Sequence, residues 1–130
     1  MKNKTYREEQ LIKIFTVLGE AIQKEITGTY SEPRFLAIAT DGTYIFSYNS
    51  DLDYAIDIES EEQLFNLMVE DLLLIKYACD YDFKDINYAD LTSLQKNQFL
   101  KELEPLREKL PDFDHFIEAF LEAETCQTQK

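Results

Sequence analysis

Phe35-Leu36-Ala37-Ile38-Ala39-Thr40-Asp41-Gly42-Thr43-Tyr44-Ile45-Phe46-Ser47-Tyr48 sets the architecture of this chain. Two runs rich in β-branched and aromatic residues flank Asp41-Gly42. That dipeptide suits a two-residue type I′ turn, which needs positive φ at both positions. Residues 34–49 are therefore predicted to form a β-hairpin. A third strand is predicted over 53–59. Leu52, Tyr54, Ile56 and Ile58 alternate there with Asp53, Ala55, Asp57 and Glu59.

Helical periodicity surrounds this core of strands. Upstream, Leu11, Phe15, Leu18, Ile22 and Ile26 mark one face of a helix over about residues 5–27. Ile12, Ile14 and Val17 widen that face. Gly28 suits a C-terminal stop. Downstream, Ser60-Glu61-Glu62-Gln63 reads as a capping box. It opens a helix running to about residue 81, apolar around much of its circumference and hence the expected central core helix. Thr92-Ser93-Leu94-Gln95 repeats the capping signal before a stripe of Phe99, Leu103, Leu106 and Leu110. Pro105 should kink or split that helix. Pro111-Asp112 begins a last helix with Phe113, Phe116, Ile117, Phe120 and Leu121 buried. The order α-β-β-β-α-α-α predicts an α+β fold: a three-stranded antiparallel meander packed by helices. Residues 1–124 form one expected domain, with 125–130 as a flexible tail.

Charge is concentrated along the chain. Residues 51–90 hold twelve carboxylates and two bases, a net of −10, whereas residues 1–50 are neutral and 91–130 carry −3. A field of one sign steers partners of the other. It also disfavours contact with nucleic-acid phosphates and anionic lipid. No apolar run is long enough to span a membrane, and the first residues lack a signal-peptide core. The chain reads as cytoplasmic. Its two cysteines fit that: Cys79 as a small core residue, Cys126 in the polar tail.

No residue pattern identifies a reaction or a cofactor. Asp80-Tyr81-Asp82-Phe83-Lys84-Asp85 begins like a calcium loop but lacks the turn glycine, and Leu91 stands where a bidentate glutamate belongs. Residues 51–62 place carboxylates at several ligand positions, again without the glycine. His115 is the only histidine, and the acids beside it read as helix caps. Gly19, Gly28 and Gly42 are too scattered to cradle a phosphate.

With the two-residue turn, Ala39, Ala37 and Phe35 face Tyr44, Phe46 and Tyr48. Leu36, Ile38 and Ile45 then form the opposite, core-facing side. A four-residue second loop would bring Asp53 and Asp57 beside the aromatics, while a three-residue loop would move them away. Aromatics mixed with charge are the composition of a contact surface. The competing arrangement has a helix covering the rings. Self-association through that face, giving a homodimer, is a further option. Tyr77, Tyr81, Phe83 and Tyr88 repeat the mixture around Asp80, Asp82, Asp85 and Asp90.

The expected partner-binding residues are therefore Asp53, Asp57, Asp80, Asp82 and Asp85 for charge, with Tyr44, Phe46, Tyr48 and Tyr81 as anchors. In layout and charge, resting on Asp41-Gly42 and the acidic 51–90 block, the chain resembles phage-encoded inhibitors of CRISPR nucleases and acidic bacterial immunity proteins. The resemblance implies a non-enzymatic inhibitor that blocks a basic protein surface, a nuclease or toxin, by mimicking nucleic acid. The alternative is a regulatory or small-molecule-sensing α+β domain with a pocket between sheet and helices.

Overall fold

The structure is a computed structural model that describes residues 6–26, 34–48, 50–77 and 88–128. Its elements run α1 (Glu8–Ile26), β1 (Phe35–Ile38), β2 (Tyr44–Ser47), β3 (Ile56–Asp57), α2 (Glu61–Tyr77), α3 (Ser93–Leu103) and α4 (Phe113–Thr128). Short 3-10 helices occupy Leu52–Tyr54, Tyr88–Asp90 and Glu104–Glu108. The three strands form one antiparallel sheet in the order β1-β2-β3. This is the expected α+β layout. The Gly28 stop, the last turn expected for the central helix and Cys79 fall outside the described residues.

The hairpin turn differs from the expected one. Thr40, Asp41 and Gly42 make a three-residue loop. The Ala39 N–H donates to the Thr43 carbonyl at 2.8 Å, and the Gly42 N–H donates to the Ala39 carbonyl at 2.9 Å. Gly42 has φ +87°, but Asp41 keeps negative φ. Its carboxylate instead accepts the Thr43 N–H at 2.9 Å. A three-residue loop closed by a left-handed glycine is the next hairpin solution after the two-residue turn.

One extra loop residue shifts the register by one, and a shift of one exchanges the faces of a strand. Phe46 faces Leu36 and Ile56, while Ile45 faces Ala37 and Asp57. The aromatic side is the core side. Tyr44 is 7% exposed and Phe46 fully buried, with Ile58 beside them at 1%. α1 covers them: Tyr6 meets Tyr44 edge-on at 5.9 Å and Phe15 meets Phe46 at 6.4 Å. Ile45, expected in the core, lies on the opposite face with Asp57. Ile38 is 62% exposed at the end of the outer strand β1. The predicted third strand shrinks to two paired residues, because Leu52–Tyr54 winds into a 3-10 turn capped by Asp51.

α2 is the central helix. It buries Leu64, Phe65, Met68, Val69, Leu72 and Leu73 between α1 and α4. On α1 the inward stripe is Leu11, Ile14, Leu18 and Ile22, with Val17 joining it. Phe15 is half-buried and Ile12 faces out. Both capping signals form. Ser60 accepts the Gln63 N–H at 3.0 Å, and Thr92 and Gln95 complete a reciprocal box. At Pro105 the helix splits, since proline donates no backbone bond. α3 ends at Leu103, and the 3-10 segment after it keeps Leu106 turned inward. Asp112, at φ 63°, then starts α4, which is helical to Thr128, four residues past the expected domain end.

Candidate functional site

Between Arg34 and Lys76 the chain has no lysine, arginine or histidine, yet it holds nine carboxylates. Cations for this stretch must arrive from other elements. Arg7 donates to Glu61 from its backbone N–H at 2.9 Å and its Nε at 3.2 Å, and reaches Asp112 at 3.4 Å. His115 Nε2 lies 2.6 Å from Glu62. That bond lowers the Glu62 carboxyl below its ordinary value and raises the imidazole above its own. Arg34 grips Asp71 with two bonds, Nε to Oδ2 at 2.6 Å and Nη2 to Oδ1 at 2.8 Å. Both side chains are buried, at 10% and 3% exposure. Lys76, at the end of α2, bridges Glu25 and Glu102.

These pairs divide the acidic block. Glu61 and Asp71 are bound to arginines and Glu62 to His115, and Glu70 is half-buried, its carboxyl pushed up by burial. Asp51, Asp53, Asp57 and Glu59 remain exposed on the β2–β3 connection and the strand that follows. α2 has 17 residues and is about 25 Å long, which holds this cluster far from Tyr77. Among the described residues, the carboxylates of the 51–90 block are thus of two kinds: those gripped by distant side chains or buried, and those exposed. The exposed acids lie on the β2–β3 connection, on β3 and on the segment leading into α2.

Of the expected contact residues, the structure exposes Asp53, Asp57 and Tyr48. Tyr44 and Phe46 are core residues beneath α1, and so are unavailable to a partner or a second copy. The three-residue turn puts the aromatics of β2 on the same side as Leu36, the covered side, and the separate β2–β3 register places Asp57 with Ile45 on the other. Asp80, Tyr81, Asp82 and Asp85 lie outside the described residues.

Tyr48 stands at the edge of the patch, 39% exposed, its ring edge-on to Phe46 at 5.1 Å and beneath the Arg34 guanidinium at 5.9 Å. Burial, helped by Asp71 and Glu70, pushes its phenol up to about 12, so it remains a neutral donor. The structure adds Leu52, 45% exposed between Asp51 and Asp53. Alternation groups Leu52 with Tyr54, Ile56 and Ile58 just ahead of the predicted third strand, and the 3-10 turn carries it outward. The Asp51 carboxylate accepts the Asp53 N–H at 3.1 Å, and the Asp51 carbonyl accepts the Ser47 hydroxyl at 3.2 Å. The loop that carries Leu52 is thereby held by short-range bonds rather than left slack.

An open groove of about 310 Å³ runs along α1, lined by Phe15, Gly19, Ile22, Glu20, Gln23 and Arg34. Among the described residues no group of three or more His, Cys, Asp or Glu side chains is placed to hold a metal ion. None of the described helices is long and apolar enough to cross a membrane. No protein-family model, characterised protein or solved structure matches this chain.

Proposed function

We propose that this protein is a small acidic, non-enzymatic binding protein that blocks a basic surface on a partner protein, such as the nucleic-acid groove of a nuclease or toxin. One observation carries this reading. Asp51, Asp53, Asp57 and Glu59 are exposed together with Leu52 and Tyr48, on elements that contain no cation. Carboxylates at the rim speed and orient the encounter, and their effect falls with salt. Leu52 and the Tyr48 ring then supply apolar area for burial at the centre of the contact. A groove shaped for nucleic acid offers the lysines and arginines such a patch selects.

The test is parallel affinity capture from a host lysate with the native chain and with Asp53→Lys/Asp57→Lys, which raises the net charge from −13 to −9. A basic protein retained by the native chain and lost with the double variant supports the reading. Its association rate should fall steeply with salt for the native chain, and less so for the variant. Equal retention by both chains, or a salt-independent rate, refutes it.

A further inference from the structure

Glu124 is the least comfortable charge in the described structure. It lies on the inner face of α4, 2% exposed, and both its carboxylate oxygens are buried without a hydrogen-bond partner. A carboxylate sealed from water without donors is costly, and the ordinary escape is to bind a proton. The elements packed on α4 make ionisation harder still. α2 presents Glu70, and the 3-10 helix Tyr88–Asp90 presents Asp90 and the Tyr88 phenol. Lys96 lies over the Tyr88 ring at 5.4 Å and is not bonded to Glu124. On α4 itself, Phe120 is fully buried one turn earlier and packs edge-on against Tyr88 at 5.5 Å.

We propose that Glu124 is a proton-operated latch: as the neutral acid it seats the C-terminal end of α4 against α2 and the Tyr88–Asp90 turn, and on losing its proton it releases that end. Burial first, then the Glu70 and Asp90 charges, push the Glu124 carboxyl up to about 7. The carboxyl is therefore poised near neutral pH, where small changes in acidity alter its charge most. The folded value lies above the unfolded one, so the latch contributes fully below about 4.5 and is lost as pH rises through about 7. Opening would free the Tyr88–Phe120 contact, which joins α4 to the chain just after residue 87. The consequence is a shift in the α4 end between two states set by pH, independent of any partner.

The experiment is hydrogen exchange of the full chain across residues 116–128 between pH 5.5 and 8.5, corrected for intrinsic rates, alongside an NMR titration of the Glu124 side-chain carboxyl. The native chain should titrate near neutrality, and its α4 amides should lose about tenfold protection per pH unit as the latch opens. Glu124→Gln should abolish the pH dependence. Glu70→Gln, which keeps the latch but removes a facing charge, should move the Glu124 titration to lower pH, because the carboxylate then faces one negative charge fewer. Glu122→Gln, on the exposed side of the same turn, should change nothing. A Glu124 carboxyl that titrates in the ordinary range near 4.5, or α4 exchange with the same pH profile in the native chain and Glu124→Gln, overturns the proposal.

Discussion

Replacing Arg34 by alanine removes the guanidinium that grips the buried Asp71 carboxylate, and its cost can be worked from the structure. Arg34 holds Asp71 through two short bonds, and Asp71 is 3% exposed on the central helix. Removing one partner of a buried pair leaves a desolvated charge and costs about 3–5 kcal/mol. Loss of the guanidinium over the Tyr48 ring adds about 0.5–1 kcal/mol. A domain of this size has a total stability of about 5–15 kcal/mol, so roughly a quarter or more is removed. At about 2 cal/mol/K of unfolding entropy per residue, the midpoint should drop by roughly 10–20 °C. Thermal and urea denaturation followed by circular dichroism measure this directly. Arg34→Met/Asp71→Leu should regain most of the loss, because an apolar pair of similar size is often as stable as the ions it replaces. If Arg34→Ala costs less than about 1 kcal/mol, the pair behaves like a surface bridge and the argument from burial is wrong.

Other outcomes follow from particular residues. Phe46→Ala should cost about 3–5 kcal/mol by denaturation, because the ring is fully buried between α1 and the sheet. Gly42→Ala should cost about 1 kcal/mol; a methyl there meets no atom within 4 Å, so the loss is set by φ +87° alone, and Gly42→Asn should cost less. The raised His115 imidazole contributes stability that is complete below about 6.5 and lost as pH rises through its folded value, while the lowered Glu62 contributes above about 4.5 and loses it in acid. His115→Gln should flatten the neutral-range part of the stability–pH curve, and an NMR titration of the imidazole should show the upward shift in the native chain.

Much of the fold is written locally. Ser60 with Gln63 and Thr92 with Gln95 marked helix starts because capping needs only neighbouring residues. Pro105 marked the split for the same reason. The sheet faces were not legible. Asp41-Gly42 fits both a two-residue and a three-residue loop, and nothing nearby distinguishes them, yet the difference exchanges the two faces of β2 relative to β1: Leu36 stays on the core side and Phe46, not Ile45, joins it. Tyr44 and Phe46 therefore read as contact residues and proved to be core. The division of the acidic block was equally hidden, because its cations come from 37 to 54 residues away, as Arg34 does to Asp71 and Arg7 to Glu61. Leu52 became visible only once Asp51 was seen to cap a 3-10 turn.

The outer strand β1 reads Phe-Leu-Ala-Ile, ends in a well-exposed Ile38, and has none of the lysines, prolines or bulges with which edge strands usually guard themselves. Its protection is remote: a net charge of −13 keeps copies apart. Near pH 4.4, where that repulsion vanishes, exposed Ile38 at the margin of the sheet is the expected point of first contact between molecules. Acidity thus governs colloidal behaviour through the whole molecule's charge, and a single lysine at position 38 would restore the missing guard.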